Sequence, residues 1–178
     1  MPPSLTISKL DAAKRQLETA IRIYFYSGDP VSLHTLTAAA YNVVRDLNEK
    51  RGGAPMVIKE RMFEFVRPEC QKELREKINE AENFFKHADR DHSATLEFHP
   101  NSTELLIFDA CSKYVELSGE FPPLFQILNG WMMITHEEIF NLPDDQKKKL
   151  REAAKTFTAA GKVAYFNDML PLVMKSVA

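Results

Sequence analysis

Residues 68–88 read PECQKELREKINEAENFFKHA, and this stretch carries the clearest helical pattern in the chain. Pro68 suits the first turn of a helix, where its missing N–H is not needed. Apolar residues then recur at spacings of three and four, and at about 100° per residue they fall within about 80° of one another. They are Cys70, Leu74, Ile78, Ala81, Phe85 and Ala88. The stretch predicts a helix with a core-facing side and an exposed side, where we expect the pairs Glu73–Lys77 and Glu82–Lys86.

Two further helices are predicted before this stretch. Ser8, with Asp11 three residues later, is typical of a capping-box-like helix start. Asp29 followed by Pro30 predicts the start of a second helix, which Gly52-Gly53 would end. Both segments place apolar residues at helical spacing, so each is expected to bury one face.

The remaining segments also favour helices. They are a short helix at 57–66, a helix from a capping box at 101–104 to Gly119, one from Pro122 to about Ile134, one from Pro143 to Ala160, and a last one at 163–177 in which Pro171 predicts a kink or break. The irregular residues 89–101 form the one long loop in the middle of the chain. We therefore predict a single all-α domain over residues 1–178, a helical bundle of about six to eight helices.

Length and composition agree with this fold and exclude several classes of function. A chain of 178 residues suits one domain and needs no disulfide or metal to fold. Its formal charge of −2 gives no electrostatic signature of a strongly basic nucleic-acid binder. Neither the N-terminus nor the stretch from Phe121 to Ile134 resembles a signal peptide or a membrane span. Cys70 and Cys111 are predicted to be isolated buried thiols, and the chain is expected to be cytoplasmic with no membrane contact.

The familiar catalytic motifs are missing. The sequence has no glycine-rich phosphate loop, no Gly-x-Ser-x-Gly and no cysteine pair spaced for zinc. His136-Glu137 has no second histidine four residues after the first, so it does not complete a metalloprotease motif. We therefore predict no cofactor.

The best candidate site lies at the end of the helix predicted over 68–88. Asn83, Lys86, His87 and Arg90 share one helix side, away from the apolar stripe. These side chains either cap the helix end or form an acid/base or phosphate-contacting site, in which His87 is the acid or base and Lys86 and Arg90 supply positive charge.

A metal site is an alternative interpretation of the same region. The loop brings two carboxylates and three imidazoles into a short stretch, and these ligand types suit several divalent metals. The candidate ligands are His87, Asp89, Asp91, His92 and His99.

The helix order and the element Glu82-Asn83-x-x-x-His87 resemble the HEPN superfamily, small all-helical nucleotide-binding domains with many dimeric ribonuclease toxins and defence proteins. The family motif is an arginine, a polar residue that is often asparagine, three further residues and a histidine. Asn83 and His87 match it, whereas Glu82 stands in place of the arginine that would hold the scissile phosphate. The resemblance implies binding of RNA or a nucleotide, or of a protein partner, without conventional ribonuclease chemistry, and a homodimer. The first two helices also resemble uncharacterised bacterial proteins.

Two other features admit alternatives. His34, with Ala38 and Tyr41 at helical spacing, is either a hydrogen-bonded histidine at a helix interface or an additional ligand-binding residue opposite His87. Trp131, followed by two methionines, is predicted to be in the core or in an oligomer contact. Three hypotheses of function follow: a HEPN-like binding domain, a non-catalytic protein-interaction or scaffold module, and a metal-dependent enzyme that uses the 87–99 loop.

Overall fold

The computed structural model describes residues 4–88 and 92–177 of the chain. Within these ranges the protein contains seven α-helices, two short 3-10 helices and no strand. The α-helices are α1 (Lys9–Phe25), α2 (Pro30–Lys50), α3 (Pro68–Lys86), α4 (Ser102–Ser118), α5 (Pro123–Thr135), α6 (Asp144–Ala160) and α7 (Lys162–Val177). The 3-10 helices cover Arg61–Phe65 and Glu137–Ile139. This architecture confirms the prediction of an all-α helical bundle.

The starts of the first two helices follow from their capping residues, as predicted. The Asp11 amide donates to the Ser8 hydroxyl oxygen at 3.1 Å. The Ser32 amide donates to the Asp29 carboxylate at 2.6 Å, and Pro30 is the first residue of α2. Each cap satisfies an amide group that has no acceptor within its own helix.

Two predicted elements differ from the structure. Residues 57–60 form turns rather than a helix, and only Arg61–Phe65 is helical, as a 3-10 turn. The amides of Arg61 and Met62 donate to the carbonyls of Met56 and Val57, five residues earlier, so no run of α-helical bonds forms here. The amides of Val57 and Ile58 donate to the Asp109 carboxylate. Pro171 does not break the last helix, since α7 continues through it. Pro171 is exposed, so the carbonyl group that loses its helical partner there can be solvated.

The hydrophobic core lies between five of the α-helices. Helix α1 packs along α2, α2 packs along α4, and α5 and α7 close the other side. Phe25 is fully buried among rings from α5 and α7, with its centroid 4.9 Å from Phe166 and 6.1 Å from both Trp131 and Tyr165. The predicted burial of Trp131 is thus observed. Such packing of large rings supplies much of the apolar burial that stabilises a domain of this size.

Helices α3 and α6 lie outside this core. The apolar stripe predicted for α3 is half-buried from Cys70 to Phe85, and Ala88 is exposed. The one buried residue of α3 is Glu82, and α6 has none. Helix α3 therefore attaches to α2 through a thinner apolar contact and through a buried charge.

Both cysteines are free thiols, and the predicted burial is observed for Cys111, whereas Cys70 is half-buried. Burial raises the pKa of the Cys111 thiol well above its ordinary value. Among the described residues, no helix combines the length and apolarity that a membrane span requires.

Candidate functional site

The C-terminal end of α3 carries the residues that the sequence singles out. Helix α3 ends at Lys86, and His87 follows it in an extended conformation, with its amide donating to the Asn83 carbonyl at 3.1 Å. The side chains of Asn83 and His87 are both exposed, and neither forms a hydrogen bond to a described residue. The backbone bond closes the helix here, so these two polar side chains stay available to solvent.

Glu82 lies in a different environment from the one predicted. The helical pattern places it on the exposed side of α3, but it is 7% exposed in the structure. The predicted pair with Lys86 is present, with Lys86 Nζ 2.6 Å from Glu82 Oε1. Lys77, however, pairs with Glu80 at 3.1 Å rather than with Glu73. The predicted exposure of Glu82 is therefore wrong, and its carboxylate is a buried group.

A second lysine meets the other oxygen of the same carboxylate. Lys59 is 6% exposed, and its Nζ lies 2.5 Å from Glu82 Oε2. Lys59 also donates to Asn79 at 2.9 Å, and Asn42 donates to Glu82 Oε1 at 2.5 Å. We call these five residues, Asn42, Lys59, Asn79, Glu82 and Lys86, the Glu82 cluster. A buried carboxylate that accepts three donors satisfies the condition under which a charge is tolerated away from water.

The pKa values in this cluster reflect competition between burial and charge. Burial alone would raise the pKa of Glu82, but the hydrogen bonds and charges of Lys59 and Lys86 outweigh it and lower that pKa to about 2. Burial lowers the pKa of Lys59, and the charges of Arg45 and Lys86 lower it further. The hydrogen bond and the charge of Glu82 act in the opposite direction and raise this pKa. Two ammonium groups share one carboxylate, so the cluster carries an excess of one positive charge.

The segment that carries Lys59 is held by α2 and α4. Asp109, on α4, accepts hydrogen bonds from the Tyr41 hydroxyl at 2.8 Å and from the Ile58 amide at 2.9 Å. The Lys59 amide in turn donates to the Tyr41 hydroxyl oxygen at 3.1 Å. These bonds fix the backbone at residues 57–59 and so direct the Lys59 side chain toward α3.

His34 lies beside the Glu82 cluster rather than at the exposed end of α3. It is 2% exposed, and its Nδ1 lies 2.9 Å from the Thr103 hydroxyl oxygen. The rings of Phe85 and Phe98 meet the imidazole edge-on, at 5.8 and 5.2 Å between centroids. No hydrogen bond or ring contact among the described residues joins it to His87. Burial lowers the pKa of His34, so the imidazole is held in its neutral form.

The proposed metal ligands are only partly within the described chain. His87, His92 and His99 are all exposed. Asp89 and Asp91, together with the candidate cation Arg90, lie outside the described residues. Within the part of the chain that is described, no group of three or more His, Cys, Asp or Glu side chains is arranged to hold a metal ion.

A second polar cluster, which the sequence did not indicate as a site, lies between α1, α4 and α5. The Tyr24 hydroxyl donates to Glu104, and Trp131 Nε1 donates to the Tyr24 oxygen at 2.9 Å. His136 Nε2 lies 3.6 Å from the other Glu104 oxygen. The spacing of Asn101 and Glu104 predicted a capping box, but the Asn101 side chain makes no capping hydrogen bond. Sequence showed Glu104 only as a residue of a helix start, because its partners come from distant helices.

The fold and these two acidic centres define a helical-bundle protein with polar clusters between its helices. Comparison with protein-family models, with curated proteins and with solved structures finds no match. The function of the protein is therefore inferred from the residues of this chain.

Proposed function

We propose that this protein is a HEPN-like binding domain that holds a phosphate group of RNA or of a nucleotide at the C-terminal end of α3 and does not cleave it. Asn83, Lys86 and His87 would make the contacts, with Arg90 adding charge. The observation that carries the proposal is the buried Glu82 carboxylate between two lysines. It leaves an excess positive charge beside two polar side chains that are exposed and lack hydrogen-bond partners among the described residues.

The electrostatics of this site favour an anion. Glu82 would repel a phosphate if it were free, but Lys59 and Lys86 both neutralise it at 2.5 and 2.6 Å. Lys86 is one-third exposed, so its ammonium can contact a ligand while it remains paired with Glu82. The charge of Arg45 adds to the positive potential felt at Lys59. The Glu82 cluster by itself thus carries a net charge opposite in sign to the overall charge of −2.

The absence of cleavage follows from the position of Glu82. In the resemblance, an arginine at this position would stabilise the charge that develops on the phosphate. Here the side chain is an anion that is turned into the protein and engaged by three donors. The His87 imidazole therefore lacks the neighbouring guanidinium that the motif would supply, and the Lys86 ammonium is already paired with Glu82.

The proposal includes further properties that the resemblance implies. We propose that the protein is bacterial and cytoplasmic. We also propose that it acts as a homodimer, because dimers are common in the superfamily that the chain resembles. The candidate ligand-binding role of His34 becomes a supporting one, since this buried ring packs against Phe85 on α3 and stabilises the helix that carries the site.

The proposal is tested by fluorescence anisotropy with a short fluorescein-labelled single-stranded RNA, and by calorimetry with AMP as the nucleotide probe. The double variant Asn83→Ala/His87→Ala should weaken RNA binding roughly five- to tenfold, since it removes two hydrogen bonds to an anion. Lys86→Ala should also weaken binding and reduce the slope of log affinity against log salt by about 1. Lys72→Ala is the matched control, because Lys72 is an exposed lysine at the other end of α3.

Several results would overturn the proposal. Equal RNA affinity in wild type and in the double variant would show that Asn83 and His87 do not bind RNA. If neither RNA nor AMP binds to wild type, the protein-interaction module is favoured instead. Cleavage of RNA by wild type but not by His87→Ala would show that the protein is an enzyme. A stoichiometric metal that survives desalting, and that His92→Ala removes, would favour the metal-dependent alternative.

A further inference from the structure

A pocket of about 340 Å³ opens between the start of α4, the start of α7 and the turn that joins α1 to α2. We call it the Glu104 pocket. Its polar walls are formed by Tyr24, Ser27, Asn101, Glu104 and Lys162, and Ile23 and Leu33 are among its apolar walls. Its volume lies at the small end of the range that is typical of sites for small molecules. It is separate from the α3 site, which contributes none of these residues.

One wall of the pocket is an oriented carboxylate. Trp131 Nε1 can only donate, so the Tyr24 oxygen accepts from it at 2.9 Å and the Tyr24 proton must point to Glu104. Burial and the neighbouring Glu104 raise the pKa of Tyr24, so the hydroxyl keeps this proton. Glu104 consequently presents an acceptor of fixed orientation, and its second oxygen lies 3.6 Å from His136 Nε2.

The opposite charge stands over the face of the same tyrosine. Lys162 Nζ lies 4.4 Å from the centroid of the Tyr24 ring. Among the described residues, no carboxylate lies within ion-pair distance of this ammonium. An ammonium held against an aromatic face and not against a carboxylate remains available to an anionic group. The pocket therefore offers a negative and a positive group on two sides of one ring.

The backbone at the rim adds a polar group at a conformational cost. Ser27 is the one non-glycine residue with a positive φ, 52°, in the described chain. This left-handed conformation closes α1, since the Ser27 amide donates to the Tyr24 carbonyl and the Gly28 amide to the Ile23 carbonyl at 2.9 Å, and it costs an L-residue roughly 1–2 kcal/mol. Ser27 lines the pocket, and so does Asn101, whose side chain makes no capping hydrogen bond.

We propose that the Glu104 pocket binds a small zwitterion that carries an ammonium and a carboxylate group, such as an α-amino acid with an apolar side chain. Glu104 accepts from the ligand ammonium, and Lys162 donates to the ligand carboxylate. Ile23 and Leu33 contact the apolar side chain. Tyr24 and Trp131 are positioning residues, since they orient Glu104. This inference does not depend on the proposed function at α3.

Isothermal titration calorimetry on the whole chain tests the inference with three matched probes. L-Phenylalanine carries both charged groups, 2-phenylethylamine lacks the carboxylate, and 3-phenylpropanoate lacks the ammonium. We expect L-phenylalanine to bind and each analogue to bind at least tenfold more weakly, because each leaves a charged partner in the pocket unpaired. Equal affinity of either analogue, or no binding of any probe, would overturn the proposal.

Two substitutions assign the binding to this pocket. Glu104→Gln should weaken L-phenylalanine binding at least tenfold and abolish the preference over 3-phenylpropanoate. Lys162→Met should likewise weaken L-phenylalanine binding at least tenfold and abolish the preference for L-phenylalanine over 2-phenylethylamine. Lys175→Met is the matched control, since Lys175 lies in the last turn of the same helix. Unchanged preferences in correctly folded Glu104→Gln and Lys162→Met variants, checked by circular dichroism, would overturn the assignment.

Discussion

Helices α2 and α3 are similar in length but differ in what holds them. Of the 21 residues of α2, eight are buried, whereas the 19 residues of α3 include one, Glu82. Helix α2 is packed between α1 and α4, so apolar burial stabilises it from two sides. Helix α3 attaches through a half-buried stripe and a charge cluster. The difference shows that the position of α3, and of the site at its end, depends on charge far more than the position of α2 does.

The largest loss of stability is expected when an aromatic side chain is removed from each helix. Tyr41→Ala on α2 should lower the free energy of unfolding by about 3–5 kcal/mol, because Tyr41 is fully buried and bonded to Asp109. Phe85→Ala on α3 removes a half-buried ring and should cost about half as much. Urea denaturation measures both values, and equal losses would contradict the comparison.

The next effect concerns the charge that holds α3. Glu82→Gln leaves Lys59 buried without its counter-ion and should lower the free energy of unfolding by about 3 kcal/mol. The double variant Lys59→Met/Glu82→Leu should recover most of this loss, because it leaves no unpaired buried charge. Glu80→Gln is the control, since it breaks an exposed pair with Lys77 that is worth less than about 1 kcal/mol. If the double variant is less stable than Glu82→Gln, packing rather than charge holds this region.

A smaller effect is expected where α2 passes into the segment that carries Lys59. A Cβ atom on Gly53 would lie 2.0 Å from Asn48 Oδ1, and Asn48 is 4% exposed. Gly53→Ala should therefore displace Asn48 from its hydrogen bond to the Ala54 carbonyl and destabilise the fold by about 2 kcal/mol. In an Asn48→Ala background the same substitution should have little further effect on the thermal midpoint. A full loss in that background would point to backbone strain instead.

The smallest effect is the pH dependence that His34 contributes between α2 and α3. Burial and the charges of Lys59 and Lys86 lower the pKa of His34 below its ordinary 6.5. The charge of Glu82 acts in the opposite direction but does not cancel this shift. The unfolded chain thus binds the proton more readily, so this contribution to stability is complete above pH 6.5 and is lost as the pH falls toward the lowered pKa. The slope cannot exceed about 1.4 kcal/mol per pH unit for one proton.

The variant His34→Gln isolates the contribution of His34 to the pH dependence of stability, because all other titratable groups are the same in wild type and variant. We expect the difference in free energy of unfolding between wild type and variant to be constant above pH 6.5 and to narrow below it. A difference that stays constant down to pH 5 would show that His34 does not titrate on unfolding. Glu82, whose pKa is about 2, affects stability at lower pH, between its unfolded value of 4.5 and about 2.

Much of the fold could be predicted because the signals are local. The side chains of Ser8 and Asp29 accept hydrogen bonds from amides in the first turn of their own helix, and Pro30 has no amide hydrogen that needs an acceptor. Their positions therefore mark helix starts directly. The helix predicted at 57–66 is present only in part, as the 3-10 helix Arg61–Phe65, because the apolar pattern does not show that Asp109 and Tyr41, from distant segments, hold the backbone of residues 57–59 in turns. Capping chemistry is visible in a sequence, whereas capture by a distant side chain is not.

The candidate sites were less predictable for the same reason. A helical wheel correctly places Asn83 and His87 away from the apolar stripe. It cannot show that Glu82 is covered by a lysine from another segment. The Glu104 pocket joins Tyr24, Glu104 and Lys162, which are separated by at least fifty residues along the chain and lie on three different helices. Only the tertiary packing brings these groups together.

The hydrogen bonds that Asp109 accepts also bear on the order in which the protein assembles. Because Asp109 lies on α4 and Tyr41 on α2, we expect the backbone around Ile58 to become ordered only after these two helices have docked. We expect Lys59 to reach Glu82 after that, and α3 to join last. In the native state we expect the reverse step to be an opening of α3 alone, while residues 56–60 stay bonded to α2 and α4 and Met56 stays in the core. The amide hydrogens of α3 should consequently exchange with solvent as one unit of lower protection than the rest of the bundle.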